Sequence, residues 1–386
     1  MPRIIQRITV LLLCLLAGCT KTGSDVSSST SSLAAAVSPN AGSGDQSQPG
    51  VITAGEWDDL EHWDFWTSII QKDTFKSIPA YWNIYSLNRI SVHVIGTDSL
   101  PVIDIAVHLQ KDGQTIFSAR TDNRGNAELW TGLFQENTNP DYSAFKIDIN
   151  SGAKLLNHVK SWPEGINQVI LPPAKVENNI DVAFVVDATG SMGDELEYLK
   201  TELLDVISRA QSGNRNATIL TSSVFYRDEG DDYLTKVSDF TTDYNTTIDF
   251  IKDQHSDGGG DTPEAVHAAL DKAMNSLQWS AHARTRLLFL VLDAPPHHET
   301  SVISSIQASM QTAAAKGIKI IPVTASGIDK DTEFLMRFFS ISTNGTYVFI
   351  TDDSGIGESH LRATVGPYEV EYLNNLMVRL INKYAE

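Results

Sequence analysis

The stretch Ile180-Asp181-Val182-Ala183-Phe184-Val185-Val186-Asp187-Ala188-Thr189-Gly190-Ser191-Met192-Gly193 decides the fold. Its first half is an apolar run broken only by Asp181, which is the composition of a buried strand. Its second half sets a carboxylate and two hydroxyls, Asp187, Thr189 and Ser191, at alternate positions on the loop that leaves this strand. Hard divalent cations take oxygen ligands, and a short turn aims oxygens two residues apart at one point. In open α/β sheets, the carboxyl end of a strand is also where ligands bind.

Working outward, strand candidates at 181–186, 219–226, 286–292 and 318–323 alternate with helical stretches. Leu196, Leu199, Leu203 and Ile207 share one helix face. Val266, Leu270, Ala273 and Leu277 share a second, and Ile303, Ile306, Met310 and Ala313 a third. Gly317 stands where the third helix should end. Val370, Leu373, Met377 and Leu380 predict a closing amphipathic helix. Alternating βα units with continuous apolar strands predict an α/β domain over 179–386, built on a doubly wound, Rossmann-like, mostly parallel sheet.

Residues 85–175 have a different period. Ile90, Val92 and Val94 alternate with polar residues, as do Ile103, Ile105, Val107 and Leu109, and further runs follow at 127–130, 145–149 and 169–171. Asp112-Gly113 and Asp122-Asn123-Arg124-Gly125 mark turns between them. Short strands at this spacing predict a small antiparallel β-sandwich that ends near Pro172-Pro173. Within it, 101–130 resembles immunoglobulin-like or carboxypeptidase-regulatory-like modules, a likeness that carries no catalytic residues. Residues 55–84 hold Trp57, Leu60, Trp63, Phe65, Trp66, Ile69 and Ile70. The 63, 66, 70 spacing predicts an aromatic-rich helical segment whose stripe packs on one of the two domains.

At the start of the chain, Arg3 and Arg7 precede an apolar run at 8–16 that is too short to span a bilayer, so 1–18 reads as a secretion signal. Leu16-Ala17-Gly18-Cys19 resembles a bacterial lipobox, which implies Cys19 as a lipidated first residue. From 20 to 50 the chain is Ser, Thr, Gly, Ala and Asp with almost no large apolar side chain. Residues 19–54 are therefore assigned to a flexible tether, and about thirty such residues span roughly 30 Å. The only cysteines are Cys14 and Cys19, so the folded part has no thiol, disulfide or cysteine metal ligand and depends on its core. Without 1–18, 27 basic residues face 48 acidic ones, a net charge of −21. That balance excludes nucleic acid as a partner. It also excludes docking of the protein body on anionic lipid, leaving the N-terminal lipid as the one membrane contact. Solubility accounts for most of these carboxylates.

Three segments should meet at the carboxyl edge of the predicted sheet: Asp187, Thr189 and Ser191; the turn Gly258-Gly259-Gly260-Asp261-Thr262-Pro263; and Asp293 in Val291-Leu292-Asp293-Ala294-Pro295-Pro296. In this order they resemble a von Willebrand factor type A (VWA) domain with its metal-ion-dependent adhesion site, over about 179–386. Bacterial extracellular members also carry stretches like Phe225-Tyr226-Arg227-Asp228 and Asp293-Ala294-Pro295-Pro296-His297. The resemblance implies that Thr189, Ser191 and Thr262 offer hydroxyls to Mg²⁺ (or Mn²⁺ or Ca²⁺). It implies that Asp187 and Asp293 act mostly through water. Thr189 stands where the family pattern has Ser or Thr, and Asp261 is a further candidate beside Thr262. A cation whose nearest ligands are neutral stays electron-poor and seeks an acidic oxygen from a partner.

Each of these residues also has a plainer reading. Thr262 before Pro263 has the chemistry of a helix N-cap, Asp187 of a cap, and Asp293 of a turn residue. His297-His298 invites a zinc reading, although adjacent residues rarely reach one ion. Arg227-Asp228 reads as a structural ion pair, and Asp352-Asp353 as a solvated turn beside Gly355. The expected function is that of a lipid-anchored binding or adhesion protein of the bacterial cell envelope, at the outer membrane or cell surface, and not an enzyme. Its partner would be a protein or envelope ligand with an exposed carboxylate. One alternative is a Mg²⁺-dependent phosphoryl-transfer enzyme, since Asp187-Ala188-Thr189-Gly190-Ser191 also resembles the Asp-x-Thr-Gly-Thr of that class. Such chemistry needs a lysine near the phosphate, and Lys319 begins a strand instead of ending one. The other alternative is a metal-free scaffold.

Overall fold

The computed structural model describes residues 48–260 and 262–386. The expected signal, Cys19, the tether through residue 47 and Asp261 lie outside the described residues. Described chain begins with β1 (Thr53–Trp57), followed by the short helices α1 (Trp63–Ile69) and α2 (Ile78–Trp82). The stretch expected to be helical from residue 55 therefore opens as a strand, and residues 53 and 54, assigned to the flexible tether, belong to that strand.

Seven strands follow: β2 (Arg89–Gly96), β3 (Ala106–Lys111), β4 (Gln114–Arg120), β5 (Asn126–Trp130), β6 (Phe145–Ile149), β7 (Lys154–Leu156) and β8 (Asn167–Leu171). They form a three-stranded sheet, β5-β2-β8, and a four-stranded sheet, β4-β3-β6-β7. Ile90, Val92, Val94, Val107, Leu109, Ile147 and Ile149 share one core. Two details differ from the expected antiparallel pattern. β2 and β8 pair parallel. Ile103 is outside β3, because Asp104 turns to φ +60° and its carboxylate meets Arg120 at 2.6 Å and Arg286 at 2.9 Å.

The remaining chain alternates as expected. In order come β9 (Asn179–Asp187), α3 (Leu196–Gly213), β10 (Thr218–Tyr226), β11 (Thr235–Thr241), α4 (Tyr244–Lys252), α5 (Val266–Asn275) and β12 (Thr285–Leu292). Then come α6 (Thr300–Lys316), β13 (Ile318–Thr324), α7 (Lys330–Ser342), β14 (Tyr347–Ile350), β15 (Val370–Tyr372) and α8 (Leu373–Ala385). The sheet runs β11-β10-β9-β12-β13-β14-β1-β15, with β10, β9, β12, β13 and β14 parallel and antiparallel strands toward both edges. Successive residues of a strand point to opposite faces. Accordingly Val182, Phe184 and Val186 pack with α3 and α8, while Ala183 and Val185 pack with α5 and α6. Val370, expected on the last helix, is instead on the edge strand β15.

The N-terminal segment is fastened at two points. The Glu202 carboxylate on α3 accepts the backbone N–H groups of Gly50, Val51 and Ile52 at 2.9 to 3.2 Å. Further on, the Arg337 guanidinium on α7 grips Asp59 through both nitrogens, at 2.6 and 2.8 Å, with all of these side chains fully buried. Trp66 stacks on Phe334 at 5.3 Å and Trp63 meets Trp130 at 5.7 Å, so the aromatic stripe packs against both the α/β domain and the sandwich. Removing one partner of a buried ion pair leaves an uncompensated charge. Asp59→Ala is therefore expected to lower unfolding free energy by about 3 to 5 kcal/mol in urea titrations. Asp59→Ala combined with Arg337→Met should lose less than Asp59→Ala alone.

Candidate metal centre

The parallel register places Asp187 opposite Tyr226, and Val186 opposite Val291, so the β9, β10 and β12 ends lie level at the carboxyl edge. Asp187 is fully buried. Its Oδ1 accepts the Thr189 backbone N–H at 2.9 Å and the Thr189 hydroxyl at 2.7 Å. Thr189 Oγ1 lies 3.2 Å from Ser191 Oγ. Because the Thr189 hydroxyl gives its proton to Asp187, its lone pairs remain for another partner.

The glycine turn is laid against this loop. Gly190 N–H donates to Gly258 C=O at 3.0 Å, and Asp257 N–H to Ala188 C=O at 3.1 Å. Gly259, at φ +64°, is in the left-handed region, and a Cβ there would stand 2.7 Å from Glu264 Oε1 and 2.8 Å from Thr189 Cβ. Only glycine permits that approach. The third segment is tied in through Glu264, whose N–H donates to Pro295 C=O at 2.9 Å. Thr262 lies between these two ties and is exposed. It does not cap α5, which starts at Val266 with Ala265 in the N-cap position. The structure thus gathers Asp187, Thr189, Ser191 and Asp293 at one edge and holds the Thr262 segment beside them.

Glu264 escaped the sequence reading, since an acid after Pro263 looks like an ordinary first-turn residue. It is buried with Asp293, and Asp187 Oδ2, Asp293 Oδ1 and Glu264 Oε2 all lack hydrogen-bond partners. The Tyr226 hydroxyl lies against Asp187 without closing a well-formed hydrogen bond. Burial pushes Asp187 up to about 6 despite the Thr189 hydrogen bonds. Burial and the Asp187 charge push Asp293 to about 7. Burial and the charges of Asp187 and Asp228 push Glu264 to about 9.

The nearest bases are committed elsewhere. Arg227 donates to Ala188 C=O at 3.2 Å and His255 C=O at 2.8 Å, with its guanidinium over Tyr233. The expected Arg227–Asp228 pair gives way to a contact between Asp228 and His297 Nε2 at 2.6 Å. His298 stacks on Tyr81 at 3.6 Å, so the two histidines serve different partners. Lys319 binds Asn344 C=O at 2.6 Å at the opposite edge of the sheet. Asp352, in the turn before Gly355, accepts from His360 at 2.9 Å.

Buried carboxylate oxygens without partners, next to hydroxyls with free lone pairs, suit a hard dication. Among the described residues, no three His, Cys, Asp or Glu side chains close into a metal-ligand set by themselves. A cation here would therefore draw on the Thr189 and Ser191 hydroxyls, as the resemblance implied.

For each of these acids, ionisation is harder in the folded than in the unfolded chain. The stabilisation is thus fully present below the unfolded values, near 4, and is lost progressively from there upward, until pH has passed about 6 for Asp187, about 7 for Asp293 and about 9 for Glu264. In chelator, the melting temperature should fall more steeply over this interval for the wild type than for Asp187→Asn or Asp293→Asn. Melting curves at stepped pH check this, and identical slopes would mean that these carboxyls are not held up by burial.

Residues 181–360 match the family model of the von Willebrand factor type A domain. Over 133 residues the chain is 31% identical to an ariadne-like RING finger protein of Acanthamoeba polyphaga mimivirus, covering 34% of this chain and 13% of that protein. Over 209 residues it is 21% identical to an alpha-protein kinase of Dictyostelium discoideum, covering 54% of this chain and 33% of the kinase. The chain therefore spans a third or less of either relative's length. Among solved structures, the BatB protein of Bacteroides thetaiotaomicron aligns at 14% identity with a TM-score of 0.35, over 53% of this chain and 98% of that one. An aerotolerance-related membrane protein of Bacteroides fragilis aligns at 14% identity with a TM-score of 0.33, over the same shares. Residues 181–360 of this chain form a von Willebrand factor type A domain.

Proposed function

We propose that this is a lipid-anchored binding protein of the bacterial cell envelope whose VWA domain engages an acidic oxygen of a partner through a divalent cation. Thr189, Ser191 and Thr262 would supply hydroxyls to Mg²⁺, Mn²⁺ or Ca²⁺, with Asp187 and Asp293 behind them. The partner would be a protein or an envelope polymer with an exposed carboxylate. The observation that carries this reading is the set of unpartnered oxygens on buried Asp187 and Asp293 beside the Thr189–Ser191 hydroxyl pair. The bound ion would supply a Lewis-acidic point at which a partner's carboxylate replaces a water. The chain's own residues would fix that point and keep it at the surface.

The anchoring part of the proposal rests on the lipobox-like sequence around Cys19. Among the described residues no helix is long and apolar enough to cross a membrane. β1 runs antiparallel to β14, with Ala54 opposite Ile350, so the start of β1 stands at the carboxyl edge of the sheet. A lipid-anchored tether of about thirty coil residues, with a root-mean-square span of roughly 30 Å, would favour a partner near the membrane.

Calorimetric titration of Mg²⁺, Mn²⁺ and Ca²⁺ into the purified chain tests the proposal. Wild type should bind at least one of them, and Asp187→Ala should bind at least about tenfold more weakly. No binding to wild type would leave the domain as a metal-free scaffold. Phosphate release from an aryl phosphate, abolished by Asp187→Ala, would instead favour the phosphoryl-transfer alternative.

A further inference from the structure

Glu264 is used by none of the interactions that the VWA resemblance assigns. It is only 2% exposed, and its Oε2 has no hydrogen-bond partner. Its backbone is fixed to the Asp293 loop by the N–H bond to Pro295 and a bridge to Pro296. Its Oε1 is 2.7 Å from the Cβ position of Gly259, where Thr189 Cβ stands 2.8 Å away on the same position, so the carboxyl abuts the hydroxyl-bearing loop. The neighbouring acids are differently placed. Asp228 is engaged by His297, and Asp231 Oδ2 accepts the N–H groups of Asp228 and Gly259. Arg227 is spent on carbonyl groups. A carboxyl serving only to brace the fold at this depth would have a donor on each oxygen, since burying an unpaired polar group costs stability.

We infer that Glu264 adds a third carboxylate to the cation site and acts on the ion through bound water. The inference rests on the cation-dependent reading above. A water-mediated role agrees with the lack of a set of three acids closing on one point by themselves. It also makes Glu264 a positioning residue whose loss should be felt in affinity, because groups that orient a metal's immediate ligands and waters commonly control binding by 10- to 100-fold.

The experiment is calorimetric titration of Mn²⁺ and Mg²⁺ into the full chain, wild type beside Glu264→Gln and Glu264→Asp, with melting of each metal-free protein. Glu264→Gln should bind about 10- to 100-fold more weakly while melting at or above the wild-type temperature without metal. Glu264→Asp, which keeps the charge on a shorter arm, should recover part of the affinity. Wild-type affinity in Glu264→Gln would overturn the inference and leave the cation site standing. So would weak binding accompanied by a lowered metal-free melting temperature and no recovery in Glu264→Asp, which marks a bracing role. Failure of the wild type to bind any divalent cation would overturn this inference and the cation-dependent reading together.

Discussion

Three carboxyls buried at the ends of adjacent parallel segments, without a base to neutralise them, set the terms for this molecule. The Asp187 charge raises the cost of ionising Asp293, both raise that of Glu264, and each of the three has an oxygen without a partner. The surroundings contain cations that could have relieved this. Arg227 reaches the same loop, yet its guanidinium is turned to the Ala188 and His255 carbonyls, where it braces the glycine turn. His297 is turned to Asp228. A protein that spends its bases on loop geometry and leaves its buried acids bare has a local excess of negative charge that only a proton or an external cation can balance.

That arrangement requires a rigid frame, and the rest of the fold supplies it. The carboxyl edge is level because β9, β10 and β12 run in parallel register. Beyond β14 the sheet is extended by β1 and β15, strands separated by more than three hundred residues in the chain. The Glu202 grip on residues 50–52 and the Asp59–Arg337 pair hold that extension in place. Asp104 does the equivalent for the sandwich, meeting Arg120 from its own domain and Arg286 at the start of β12. The sheet that carries these carboxyls is therefore pinned on its β1 side and at the start of β12.

Local pattern made much of this legible. Four strands of the parallel sheet and the helices beside them follow from unbroken apolar runs and 3.6-residue spacing, which need no distant information. The loop after β9 is readable because Asp187, Thr189 and Ser191 lie within five residues. The unread parts depend on distant partners. β1 has the sequence Thr-Ala-Gly-Glu-Trp, and it is a strand because β14 and β15 pair with it. Gly55 leaves room there for the rings of Phe349 and Tyr368. Val370 matches the period of α8 but is drawn into β15 by pairing with Gly55. Ile103 alternates correctly but lies before the kink at Asp104, which exists to reach arginines in two other strands. Glu264 has no local signature, because its environment is made by Gly259, Pro295 and the acids of two other loops.

The order of burial at the edge bears on how a partner would meet the proposed cation. Asp187, Glu264 and Asp293 are all 5% exposed or less, whereas Ser191 and Thr262 are open to solvent. The carboxyls of Asp187, Glu264 and Asp293 thus lie deeper than the hydroxyls of Ser191 and Thr262, with Thr189 linking the two levels by its bond to Asp187 and its contact with Ser191. Charges at that depth attract a cation strongly, since water screens them little there. A partner's acid approaching from solvent would meet hydroxyls and the ion before it met the carboxyls. The inverse order, with acids at the rim, would repel such a partner at first contact. Under the proposed function, hydroxyls placed outside these three carboxyls would reconcile two opposed demands, retention of a dication and tolerance of an incoming anion.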